Sequence, residues 1–289
     1  RNGANAVFQL MVAGGALLAL TFVLEVCLML SLPISGLIHG IDHLLHRRRK
    51  KRESLTPSTV DPGRRLFLQT AAAALPLVTL SMGAAGVGRT LGKINLPLRK
   101  LTIPGLPAGL EGLRILQISD THLWHYVTLD DLTDVCSRAA EQKPDLVLVT
   151  GDVADDLRLL PDALRIISDL KPPLGVFATL GNHEYFRGVS DVRRIFDGSP
   201  VPLFINTGLQ IDSGGRSLYL AGIDDPRRLS LAAPDFFERT IDASLQNRRN
   251  GNFTVLMSHR PDALDYASTQ RIGLTLAGHT HGGQVGFLG

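Results

Sequence analysis

The chain is short of cysteine and of repetition. Among its 289 residues only Cys27 and Cys136 carry a thiol, too few for a disulfide framework, and they leave the redox compartment open. There is no internal repeat and no low-complexity tract beyond an alanine-rich stretch after Arg65, which excludes a repeat array. The C-terminal two thirds also lack an excess of positive charge: residues 100–289 hold 18 Lys and Arg against 23 Asp and Glu. A surface that tracks nucleic acid needs the opposite balance, so no nucleic-acid partner is expected.

What the chain does have is apolar sequence. Hydrophobic residues make up 44% of it and the mean hydropathy is +0.13, high for a wholly soluble enzyme. From Ala6 to Leu32 the run is almost unbroken, with Gln9 and Glu25 the main polar exceptions. That is enough to cross roughly 30 Å of hydrocarbon, so residues 1–45 are expected to form a transmembrane helix and its interfacial end. Glu25 is then either a functional intramembrane carboxylate or a group that faces a partner helix or is protonated. His39, His43 and His46 share a helical face at the end of this span, read as an interfacial stripe rather than a metal face.

Residues 1–99 hold 12 Lys and Arg against 4 Asp and Glu, concentrated in His46-Arg-Arg-Arg-Lys-Lys-Arg52 and the Arg64-Arg65 pair. A basic loop over 46–65 directly after a span reads as a cytoplasmic anchor touching anionic membrane lipid. Residues 66–88 are uncharged and read as a second membrane helix, or as a twin-arginine-like export signal. Either reading puts the rest of the chain on the extracytoplasmic side of a bacterial cytoplasmic membrane. If the segment only lies on the membrane, the domain stays cytoplasmic.

Residues 89–112 are rich in Pro and Gly and read as a connector, with an edge strand around Leu98 to Ile103. From 113 to 289 strand-like runs alternate with helical patterns, which predicts an α/β domain. Strands are expected at Arg114–Ser119, Leu146–Thr150, Gly175–Leu180, Leu203–Ile205, Ser217–Ile223, Thr254–Ser258 and Leu274–Ala277. Helices are expected at Leu129–Glu141, Pro161–Leu170, Ser190–Phe196 and Pro234–Leu245.

Five short pieces follow five of those strands: Asp120-Thr-His122, Gly151-Asp152, Gly181-Asn182-His183-Glu184, His259, and Gly278-His279-Thr280-His281. Ligands of α/β sheets gather beyond the carboxyl ends of strands, so loops remote in sequence can meet there. Asp120 and His122 lie two apart, as do His279 and His281, and in an extended segment each pair shares a face. Gly151, Gly181 and Gly278 permit tight turns or close backbone approach. Oxygen and imidazole donors together suit Mn, Fe or Zn better than Mg.

The order and types of these pieces resemble the calcineurin-like metallophosphoesterases, from about Leu113 to the last residue. The resemblance implies a four-layer αββα sandwich and two divalent metal ions. Asp120, His122 and His281 would hold one ion; Asn182, His259 and His279 the other; Asp152 would bridge them. It also implies that His183 is the catalytic histidine, and that a phosphate ester or pyrophosphate is hydrolysed by attack of a metal-bridging hydroxide. Glu184 would orient a histidine, bind substrate or serve structure alone. Trp124-His125-Tyr126 would form an amphipathic lip or a packed loop. Thr121 and Arg260 depart from the family pattern, though neither replaces a ligand.

With a membrane anchor, the expected substrate is a phosphorylated small molecule or lipid, such as a phospholipid or UDP-2,3-diacylglucosamine. A nuclease or protein phosphatase on the same fold, and an inactive membrane scaffold, are the rival readings. The chain starts at Arg1 and stops at Gly289, just past Gly282-Gly283, whereas relatives of this kind usually continue with further strands. The second sheet is therefore expected to be incomplete at its C-terminus.

Overall fold

A computed structural model describes residues 93–281 continuously, together with scattered helical positions between Thr21 and Ser81. The chain divides into two compact units, residues 1–93 and 94–289. Among the described residues no helix is long and apolar enough to cross a membrane. Most of the apolar segments 6–32 and 66–88, the basic run after Arg47, Cys27, and His39 and His46 lie outside the described residues.

The second unit is built on two four-stranded sheets. In the first, β1 (Ile115–Ile118), β2 (Leu146–Thr150), β3 (Val176–Thr179) and β4 (Leu203–Phe204) are parallel and lie in chain order. In the second, β5 (Thr207–Ser213) pairs antiparallel with β6 (Arg216–Gly222), and β7 (Thr254–Met257) and β8 (Leu274–Leu276) add on parallel to β6. The helices are α1 (Leu129–Glu141), α2 (Leu160–Ser168), α3 (Asn182–Arg187), α4 (Val189–Asp197), α5 (Phe236–Leu245) and α6 (Leu264–Thr269).

Strand alternation sorts the core into layers. In β2, Leu146 and Leu148 point into a cluster shared with Leu218, Leu220, Val255 and Met257 of the second sheet, while Val147 and Val149 pack against Leu132, Leu164 and Val192 of the helices. On the outer face of the second sheet, Tyr219, Ala221 and Leu256 meet Ile241 and Ala267. The order is thus helices, sheet, sheet, helices. Because both faces of β2 are covered, the strand reads as a continuous apolar run, which is why the sequence revealed it so clearly.

Helix α1 begins where expected because Thr128 caps it. The Thr128 hydroxyl accepts from the Asp131 N–H (3.3 Å), and the Asp131 carboxylate accepts from the Thr128 N–H (2.9 Å). The helix then buries Leu132, Cys136 and Ala139 on one stripe. Burial pushes the Cys136 thiol up to about 11. Cys136 is therefore expected to resist alkylation at pH 8 in the folded protein and to react at the rate of a free thiol in denaturant. Labelling followed by mass spectrometry checks this, and rapid native labelling would contradict the packing of α1.

Two expectations need correction. Residues 93–103 form no strand, and Leu98 and Leu101 are exposed; Pro97 and Pro104 bracket a segment that no sheet edge pairs. Conversely, β5 was not foreseen, because this edge strand is mostly polar and only Ile211 is buried in the core. Its signal was the Gly214-Gly215 turn, where both residues have positive φ (59° and 79°) and Ser213 pairs with Arg216.

Candidate metal centre

Parallel strands in both sheets end on the same side of the site, and the five expected pieces follow β1, β2, β3, β7 and β8. The loops are stitched together by backbone. The Asp120 N–H donates to the Gly151 carbonyl (3.1 Å), the His122 N–H to that of Asp152 (3.0 Å), and the Gly278 N–H to that of His259 (2.9 Å). The His279 N–H reaches the Asp120 carboxylate at 3.0 Å, and Gln117 Nε2 in β1 donates to the Ala277 carbonyl at 3.0 Å, tying the first sheet to the second.

The loops are not extended, contrary to the expectation for Asp120/His122 and His279/His281. Asp120, His122, Asp152, His279 and His281 all have left-handed backbones, with φ of 54°, 42°, 55°, 68° and 49°. Each such residue costs about 1 kcal/mol or more, and strain of this kind persists where the surroundings over-determine it. The turns aim the side chains inward; simple alternation along a strand does not. Glycine is needed at 181, where a Cβ would collide with the Asp152 side chain, and at 278, where it would strike Ser119 and Asp120.

The side chains meet in three groups whose donor atoms lie within 4.8 Å of one another: Asp120, His122 and His281; His122, Asp152 and His183; and Asp152, His259 and His279. The Oδ2 of Asp152 is 3.6 Å from His122 Nε2 and 3.2 Å from His259 Nε2, so one carboxylate oxygen stands between two clusters. His122 Nε2 and His281 Nε2 face each other at 3.2 Å. Asn182 Oδ1 is 3.0 Å from His259 Nε2, which places it with the third group. His183 also belongs to a donor group, which the sequence reading had not foreseen.

These residues fit divalent cations by chemistry and orientation. A carbonyl can only accept, so His259 Nδ1 carries a proton and donates to the Thr150 carbonyl (2.9 Å), which fixes the ring with Nε2 turned toward the centre. Burial holds His122 and His279 below the ordinary histidine value, so both are neutral at pH 7 and able to ligate. Burial acts against both charges of the Asp152–His259 pair. Their mutual hydrogen bond and attraction outweigh it, pulling the carboxyl down and the imidazole up.

Three carboxylates around this centre, Asp155, Asp224 and Asp225, carry no separate sequence signal. Asp155 accepts from His183 Nδ1 (2.7 Å), lies 3.5 Å from His122 Nδ1, and pairs with Arg187 at 3.3 Å. Its hydrogen bond to Nδ1 fixes the orientation of the His183 ring. Asp224 and Asp225 come from a sixth strand end, after β6. Asp224 accepts from the Tyr185 hydroxyl (2.6 Å), and buried Asp225 accepts from Arg260 Nε (2.8 Å). Arg260 in turn touches His279 Nε2 at 2.7 Å, so this departure from the family pattern reaches the site itself.

Glu184 neither orients a histidine nor faces substrate. It is 2% exposed, and its carboxylate accepts the N–H groups of Asp152 (2.9 Å), Val153 (2.9 Å) and Gly181 (2.8 Å). It clamps two of the five loops together. Trp124 and Tyr126 are 50% and 77% exposed beside the His122 loop, and Trp124 stacks on His125 at 4.2 Å.

Comparison with known proteins agrees with this geometry. The family model described as calcineurin-like phosphoesterase matches residues 113–283. The uncharacterized metallophosphoesterase YkuE of Bacillus subtilis is 32% identical over 235 residues, covering 77% of this chain and 78% of its own. An uncharacterized metallophosphoesterase of Aquifex aeolicus is 31% identical, covering 64% of this chain and 68% of its own. A zebrafish protein named transmembrane protein with metallophosphoesterase domain is 28% identical, covering 90% of this chain and 59% of its own.

Proposed function

This chain belongs to the calcineurin-like phosphoesterase family, and from that premise we propose that it is a binuclear-metal phosphoester hydrolase anchored to a membrane. The observation that carries the reading is the Asp152 carboxylate lying between two His-containing donor groups. In the proposed assignment Asp120, His122 and His281 hold one ion, Asn182, His259 and His279 the other, and Asp152 both. Mn, Fe or Zn suits this mixture of oxygen and imidazole donors. Two such ions, when bound, make water nucleophilic at neutral pH and neutralise phosphoryl charge.

The chain's own groups supply the rest. With Nδ1 held by Asp155, His183 presents Nε2 to the substrate, where its proton stabilises a phosphoryl oxygen or passes to the leaving oxygen. Glu184 keeps the Asp152 and Gly181 loops at fixed separation, so the donors need little rearrangement when ions bind. The membrane part of the proposal is supported by the apolar run Ala6–Leu32 with its basic flank, and by two relatives that are named transmembrane proteins. A phosphorylated lipid or small molecule at the membrane is the corresponding substrate class.

The purified full chain in detergent, loaded with Mn, is expected to hydrolyse p-nitrophenyl phosphate or its bis ester, and excess chelator is expected to remove more than nine tenths of the rate. A rate untouched by chelator, or no turnover of either ester with Mn, Fe or Zn, overturns the reading.

A further inference from the structure

The loop after β6 is fastened from inside and open on its outer side. Asp225, 3% exposed, accepts Arg260 Nε through Oδ2 (2.8 Å) and the Arg227 backbone N–H through Oδ1 (2.6 Å). Arg260 Nη2 donates to the Arg227 carbonyl at 3.4 Å. Arg227 has a left-handed backbone, with φ of 62°. The last two of these bonds use only the main chain of Arg227. Its side chain, like that of Arg228, is exposed.

Both guanidinium groups lie over one aromatic ring. The Cζ atoms of Arg227 and Arg228 are 5.6 and 5.9 Å from the centroid of Phe186, whose ring is itself 5.6 Å from that of His183. Each is a cation–π contact at an exposed site and individually weak. Two like charges on one small ring oppose each other, and among the described residues neither arginine side chain forms an ion pair. A domain with net negative charge thus gathers uncompensated positive charge at one point on the rim of its site, next to the histidine that faces the leaving group. Arginine forks match phosphate oxygens, and charge-assisted bonds of this type are the strong ones.

We propose that Arg227 and Arg228, laid over Phe186, form a subsite for a second phosphate joined to the scissile one, which makes phosphoanhydrides the preferred substrate class. The inference rests on the phosphoesterase reading above and names its substrate. Hydrolysis adds water across the P–O–P bond: the water oxygen joins one phosphorus, the bond from that phosphorus to the bridging oxygen breaks, and the protons go to the two product phosphates. The arginines bind the phosphate that departs.

The test compares inorganic pyrophosphate, farnesyl diphosphate and p-nitrophenyl phosphate as substrates of the Mn-loaded full chain and its R227Q/R228Q variant. The double variant is expected to lose at least ten times more kcat/KM on the two anhydrides than on the monoester, with R227K/R228K recovering part of the difference. A loss confined to farnesyl diphosphate assigns the subsite to a lipid-borne anhydride, and a loss on both assigns it to the shared group. Equal losses on all three probes overturn the subsite while leaving the phosphoesterase reading intact. If the wild type turns over none of them, and the bis ester is not turned over with Mn, Fe or Zn either, that reading fails. Calorimetry with pyrophosphate then decides the subsite: binding at least tenfold weaker in the variant supports it, and equal binding overturns it.

Discussion

Asp152→Asn is expected to lower phosphoester turnover by more than about 100-fold and to reduce the metal retained by the purified protein from two ions toward none. Removing a supporting partner of a metal ligand already costs about 10–100-fold in affinity or activity, and Asp152 stands between two donor groups. The amide is nearly the same size, so the fold survives. What changes is charge: Asn cannot share a negative oxygen between His122 and His259.

His183→Ala provides the contrast. It is expected to lower turnover by roughly 10²–10⁴-fold with metal content kept near the wild-type level, because the proposed assignment places Asp120, His122 and His281 on one ion, Asn182, His259 and His279 on the other and Asp152 on both, and the substitution leaves all of them in place. Elemental analysis of both variants beside their rates separates the roles. Metal lost from His183→Ala but retained by Asp152→Asn would reverse the assignment.

Glu184→Ala is expected to lower the melting temperature by about 10 °C, from a loss of about 3 kcal/mol or more. Three N–H groups converge on this carboxylate from the loops after β2 and β3. Truncation leaves all three buried and unpaired, and opens a cavity under the site. Glu184→Gln is expected to fall nearly as far, since its NH₂ must face one of those donors. A shift of less than 2 °C in thermal unfolding of Glu184→Ala would show that water replaces the carboxylate and that the clamp is not required.

The membrane expectations keep their basis in the N-terminal sequence, most of which lies outside the described residues. The catalytic unit was more legible. The capped, amphipathic α1 has the bounds its pattern predicts, Leu129–Glu141, because capping and periodicity are local. Buried β2 and β7 were equally plain. The polar edge strand β5 and the short helices α3 and α6 were not, since neither apolar runs nor long periods mark them.

For the site, the sequence by itself determined the donor types, their order and their position past strand ends, because strand ends and glycines are written locally. It could not determine how the donors are aimed. That depends on five left-handed residues whose strain is met by hydrogen bonds between loops far apart in the chain. Nor could it foresee Asp155 beneath His183, Glu184 across two loops, or Asp225 binding Arg260 to the loop after β6. An isolated Asp, Glu or Arg looks alike wherever it stands in a sequence; its role comes from the partner that folding places beside it, and only the tertiary structure supplies that partner.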